Sequence, residues 1–165
     1  MTKISKVLLI LGLLVAGISA FVFNKKTEKK QEPQQLTMIT KIYNKETGKV
    51  EETASHSPEN YFGTISFLGG EPNSKNMAQA IFCADQIAEI EKVDLYMPDM
   101  GHGSQPPTVA EHKEIPALLK DKAAANPYFG CLHISSMQLF MPGLWQVRAF
   151  YKNDTVGIID ITLKD

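Results

Sequence analysis

The chain has 165 residues, 44% of them hydrophobic, and a formal net charge of -1 at pH 7. That length holds one modest domain once the N-terminus is set aside, and the hydrophobic fraction is enough for a core. No basic patch occurs in the folded part, which excludes nucleic acid as a partner, because phosphate binding needs clustered lysine and arginine.

The first element is an N-terminal hydrophobic helix. Lys3 and Lys6 precede seventeen apolar or small residues, Val7 to Phe23. That length lies between a signal-peptide apolar region and a full membrane span. Residues 1–23 are therefore a signal anchor or a signal peptide. The uncleaved anchor is favoured, because the apolar run continues past Ser19 and Ala20 and Ile18 suits a cleavage site poorly. Cleavage and secretion is the alternative. Two lysines before the segment and four after it, taken alone, would keep the rest inside. The cysteines argue the other way, as set out below. Residues 24–35, rich in lysine, glutamate, glutamine and proline, read as a polar linker.

From Leu36 onward period-2 patterns dominate, so 36–165 is expected to be one β-domain. "LTMITKIYN" alternates as a strand and "NKETGKVEE" turns at Gly48. "YFGTISFLGG" is a strand ending at paired glycines. "NMAQAIFCADQIAEIEK" is ambiguous, since Met77, Ala80, Ile81, Ala84, Ile87 and Ala88 also fit a helical stripe. "IEKVDLYMP" sets Val93, Leu95 and Met97 on one face. The segment 111–126 is locally helical, with Pro116 near its start.

In "CLHISSMQLFM", alternation sends Leu132, Ile134 and Phe140 one way and His133, Met137, Leu139 and Met141 the other. "LWQVRAFY" places Trp145, Val147, Ala149 and Tyr151 inward. "TVGIIDITL" does the same for Ile159, Ile161 and Leu163, with a hairpin between. Six or seven short strands with Gly- and Pro-bearing turns predict an all-β fold, an antiparallel β-sandwich.

"YMPDMGHGS" and, some forty residues later, "FMPGLWQVRAFY" resemble the YtkA-like domain, a group related to FixH-like proteins. The resemblance covers about 60–165. It implies an immunoglobulin-like sandwich, exported or membrane-anchored, with a link to copper handling or terminal-oxidase assembly and no established enzymatic activity. The paired cysteines and the longer connection at 69–92 depart from the simplest members.

The chemistry on offer centres on sulfur and imidazole. Thioethers are soft ligands that survive oxidising conditions, so a Met/His set favours Cu(I). Met97, Met100 and His102 lie within six positions of one another, and a metal site would join them to His133 or Met141. Residues four apart on a strand stand about 13 Å apart, so His133, Met137 and Met141 do not share one ion. The competing reading is a turn, with Met97 in the core beside Val93 and Leu95 and His102 holding the loop.

Cys83 and Cys131, far apart in sequence, suit a disulfide in an oxidising compartment; two buried thiols are the alternative. Cys131 and His133 share a strand face, so a thiol activated by imidazole is a further option. His56 and His112 sit in polar surroundings as surface residues, and Trp145 belongs to the core. With no nucleophile elbow, phosphate loop or nucleotide fingerprint, no catalytic residue is assigned and an enzyme is not expected. The expectation is a membrane-tethered domain outside the cytoplasm that binds or delivers copper. The alternative is a metal-free module docking to an envelope protein.

Overall fold

The computed structural model describes residues 36–51 and 57–164. The expected N-terminal helix (1–23) and linker (24–35) lie outside the described residues. The described residues fall within one compact unit, Pro33–Asp165. Among them no helix is long and apolar enough to cross a membrane.

Among the described residues eleven strands form two antiparallel sheets: β1 Leu36–Thr37, β2 Ile39–Asn44, β3 Lys49–Glu51, β4 Gly63–Phe67, β5 Ala78–Ala84, β6 Ile90–Met97, β7 His102–Gly103, β8 Thr108–His112, β9 Gly130–Met137, β10 Gly143–Tyr151 and β11 Thr155–Leu163. Their order is β1-β4-β5-β9-β8 in the five-stranded sheet and β3-β2-β11-β10-β6-β7 in the six-stranded sheet. A short helix, α1 (Lys120–Ala125), follows a 3-10 turn at Ala117–Leu119, with Pro116 as the N-terminal flank of that turn. Proline is tolerated there because a helix's first N–H groups have no partner.

The main core lies between the sheets. The five-stranded sheet contributes Ile65, Ala80, Phe82 and Ile134; the six-stranded sheet contributes Val93, Leu95, Trp145, Val147, Ile159 and Ile161. Alternation predicted the shared faces of Val93 with Leu95, of Trp145 with Val147 and of Ile159 with Ile161, because those stretches have one buried side.

Three segments depart from simple alternation. First, "LTMITKIYN" is two strands. Leu36 and Thr37 pair with β4, whereas Ile39 onward pairs with β11, so the chain changes sheets at Met38. Buried Met38 fits against two glycines, Gly63 and Gly157, one in each sheet; a Cβ at Gly63 would come within 2.7 Å of its sulfur. Second, β5 is buried on both sides, with Phe82 in the main core and Cys83 in a second cluster with Leu119, Phe129 and Cys131. A strand covered on both faces loses its period-2 signature, which is why a helical stripe fitted it.

Third, β9 carries a bulge. Ala78 opposes Met137 and Ala80 opposes Ile134, so β9 has one more residue than β5 over this stretch, and Ser136 adopts φ 57°. The extra residue reverses the alternation. Ile134 and Met137 both face the core, Leu139 is buried, and Phe140 is exposed. The expected grouping of Phe140 with Ile134, and of Met137 with His133, is corrected on that account.

Candidate functional site

The β6–β7 turn is built by backbone chemistry. The Met97 carbonyl accepts the N–H groups of Met100 (3.2 Å) and Gly101 (3.0 Å). Gly101 has φ +68°, a conformation that costs glycine little. Met97 and His102 then stand directly opposite each other as β7 returns. Their side chains have different surroundings. Met97 is 5% exposed, with its methyl group against Gly143, whereas His102 is exposed on the edge strand, its Nδ1 3.3 Å from the Gly103 carbonyl.

The five residues considered as metal ligands thus have different surroundings. Met97 lies in the core, and Met141 is partly buried against the same core. The Met141 carbonyl accepts the Trp145 indole N–H at 2.8 Å, which anchors the β9–β10 connection. Met100 is 58% exposed at the tip of the turn. His133 belongs to the other sheet, where its Nε2 lies 3.2 Å from Gln79 Oε1. It alternates with inward-facing Ile134, so it points away from the core, and packed sheets stand about 10 Å apart. His133 is thus remote from the 97–102 turn. Among the described residues no three His, Cys, Asp or Glu side chains gather as a metal site.

The cysteines do come together. Cys83 and Cys131 form a disulfide between neighbouring strands, with Cα atoms 4.0 Å apart and both side chains buried. With Cys131 bonded to Cys83, a thiol activated by His133 drops out. Leu119, Phe129 and partly buried Ile115 and Ala123 cover the bond from the 113–129 segment.

Sequence reading alone missed the character of one end of the sandwich. The connections 68–77, 98–101, 104–107 and 138–142 all lie at the end where β4, β6 and β9 finish and β5, β8 and β10 begin. Four large apolar side chains are exposed there: Leu68 (49%), Met77 (56%), Met100 (58%) and Phe140 (49%). Five of the chain's seven methionines lie at this end: Met77, Met97, Met100, Met137 and Met141. Its connections carry only three charged residues, Glu71, Lys75 and Asp99. The signal was split over three loops, and the helical stripe assigned to Met77 concealed it.

The opposite end is charged and tightly bonded. Its connections (45–48, 57–62, 85–89, 113–129 and 152–154) hold twelve charged residues. Asp85 organises them: its carboxylate accepts the Phe62 N–H (2.9 Å) and the Asn126 side-chain amide (2.8 Å), with the Lys122 ammonium at 3.7 Å. The buried Tyr151 hydroxyl donates to the Asp85 carbonyl at 3.3 Å. Burial raises the Tyr151 pKa above the usual phenol value, and the Asp85 charge adds to the rise. This end reads as structure. The charge-poor end is the candidate site. No family model, curated protein or solved structure matches this chain.

Proposed function

We propose that this protein is a membrane-tethered domain, held outside the cytoplasm, that acts as a metal-free binding module of the cell envelope through its loop end. The observation that carries the reading is the exposure of Leu68, Met77, Met100 and Phe140 at one end of the sandwich, on connections that carry three charged residues against twelve at the other end. Large apolar side chains exposed at one end are a better sign of an interaction site than single ones scattered over the surface. The buried disulfide supports an oxidising compartment, and the apolar run from Val7 to Phe23 supports the tether. The resemblance to YtkA-like domains, which are exported or membrane-anchored, supports the tether and the location, while their link to copper handling favours the second reading below. No catalytic step is part of this reading.

Oxidation footprinting tests it. Met77 and Met100 are the exposed thioethers of this end, so peroxide should convert both to sulfoxides several-fold more slowly in native membranes than in detergent solution. Equal rates in the two states would leave the loop end without an occupant and defeat the proposal.

Copper binding is a second reading, favoured by the thioether of Met100 and the imidazole of His102, both exposed and flanking Gly101. Cu(I) uptake by the full chain, lost in a Met100→Ala/His102→Ala double variant, would establish it. Uptake unchanged in that variant, or no uptake, removes this site.

A further inference from the structure

The loop end is also where the domain's reactive sulfur is concentrated. Of the six described methionines, Met38, Met97 and Met137 are buried and Met141 is partly buried against the core. Met77 and Met100 alone among them hold their thioethers in solvent. The chain's two cysteines are bonded to each other, so no free thiol reacts first, and Trp145 is buried. Among the described residues, a two-electron oxidant therefore meets Met77 and Met100 as its most reactive exposed groups.

The two sit on different layers. Met77 ends the β4–β5 connection of the five-stranded sheet, where it lines a cleft of about 140 Å³ together with Leu68. Met100 lies in the β6–β7 turn of the six-stranded sheet. They are two of the four large apolar side chains exposed at this end. Oxidising both changes the apolar surface that each sheet contributes.

Resting on the binding-module reading above, we propose that Met77 and Met100 are reversible oxidation sites, and that their sulfoxides release the partner from the loop end. A sulfur lone pair attacks one oxygen of hydrogen peroxide, and the S–O bond forms as the O–O bond breaks. The proton on the transferred oxygen moves to the departing oxygen, which leaves as water. Sulfur loses two electrons and peroxide gains them. An apolar side chain becomes polar, and contact with the partner then has to strip water from the new oxygen. Binding and oxidation exclude each other, because the partner covers the sulfurs that peroxide must reach. Bound molecules are spared, whereas free ones are oxidised and stay free. Repair by a sulfoxide reductase removes the oxygen as water while two thiols become a disulfide. Both side chains are more than half exposed, so the core keeps its packing through the cycle.

The test uses the full chain, purified in detergent, oxidised with hydrogen peroxide and freed of it with catalase. One portion is then repaired with methionine sulfoxide reductases for both epimers and dithiothreitol. Untreated, oxidised and repaired chains are returned to membrane vesicles from cells lacking the chain, so that the partner never meets peroxide. Peptide mass spectrometry should show Met77 and Met100 oxidised at least about tenfold faster than Met97 and Met137. A brief hydroxyl-radical pulse then labels Leu68 and Phe140, which peroxide spares. In the untreated chain these two should label several-fold less in vesicles than in detergent. That protection should vanish in the oxidised chain and return in the repaired one. An oxidised chain as well protected as the untreated one overturns the inference and leaves the binding reading standing. Equal oxidation rates at buried and exposed methionines, a lower urea midpoint after oxidation, or protection that repair fails to restore also overturns it. An untreated chain without protection defeats the binding reading, and the inference with it.

Discussion

Cys83 and Cys131 stand directly opposite each other on β5 and β9, and their sulfurs join across the outer face of the five-stranded sheet beneath Leu119 and Phe129. The bond closes a loop of 48 residues, which in the chain-entropy model corresponds to ~4 kcal/mol. A Cys83→Ala/Cys131→Ala variant should unfold at lower denaturant concentration, by an amount equivalent to about 2–4 kcal/mol. Because both cysteines are buried, reductant should break the bond in the wild type only as the domain unfolds. A native-state reduction rate independent of unfolding would contradict this.

Met97 and Met100 separate packing from ligand roles within one turn. Met97→Ala removes a core side chain and is expected to cost about 2–4 kcal/mol. Met100→Ala, at an exposed position, is expected within about 0.5 kcal/mol of wild type. Urea melts of the two variants decide it. A large cost at Met100, or none at Met97, would reverse the assignment of these side chains to surface and core.

Gly157 leaves room for Met38 where the chain passes between sheets. A Cβ at Gly157 would collide with the Met38 thioether, so Gly157→Ala should destabilise by about 1–3 kcal/mol. Adding Met38→Ala removes the collision, and the two substitutions should then cost less together than the sum of their separate effects. Strict additivity would show that the collision is not what matters.

Arg148 forks onto Asp94 through Nε (2.7 Å) and Nη2 (2.9 Å), and its guanidinium stacks 4.0 Å from the Tyr96 ring. Both partners are mostly buried, so this pair is worth more than an exposed one. A double-mutant cycle with Arg148→Ala and Asp94→Ala should give a coupling of about 1 kcal/mol. Arg148→Lys should not restore it, because lysine lacks the planar fork. Full rescue by lysine would reduce the interaction to simple charge attraction.

Tyr151 links stability to alkaline pH. Its pKa is raised in the folded state, chiefly by burial, so the folded domain holds the proton longer than the unfolded chain does. That contribution is complete below the unfolded phenol pKa near about 10 and is lost as pH climbs toward the folded value. Stability should therefore fall above about pH 10, with a shallower slope in Tyr151→Phe. Identical slopes in chemical melts across that range would sink the assignment.

Strands with one wet and one dry face were legible, β6, β10 and the second half of β11 above all. Val93, Leu95, Val147, Ile159 and Ile161 are buried as their spacing predicts. β5 was obscured because Cys83 and Phe82 are both buried, on opposite faces. The first half of β11 gave a similar difficulty: Val156 and Ile158 point outward yet are buried with Phe150, packed against Tyr43 and Val50. At Met38 and Ser136 the local pattern continues smoothly while the pairing partner or register changes. No window of sequence contains the other strand that causes it.

The residue pattern alone determined the strand periods of β6, β10 and the second half of β11, a helical stretch within 111–126 and the apolar N-terminal run, because each depends on neighbours along the chain. The helix proved shorter, Lys120–Ala125, since Glu111 and His112 belong to β8. Tertiary structure decided which face each sulfur occupies. It sent Met97 inward, left Met100 in water, set His133 on the far side of the other sheet, and brought Leu68, Met77 and Phe140 to one end. Those outcomes depend on how distant strands pair and where a bulge reverses the count. That is a property of contacts between segments tens of residues apart.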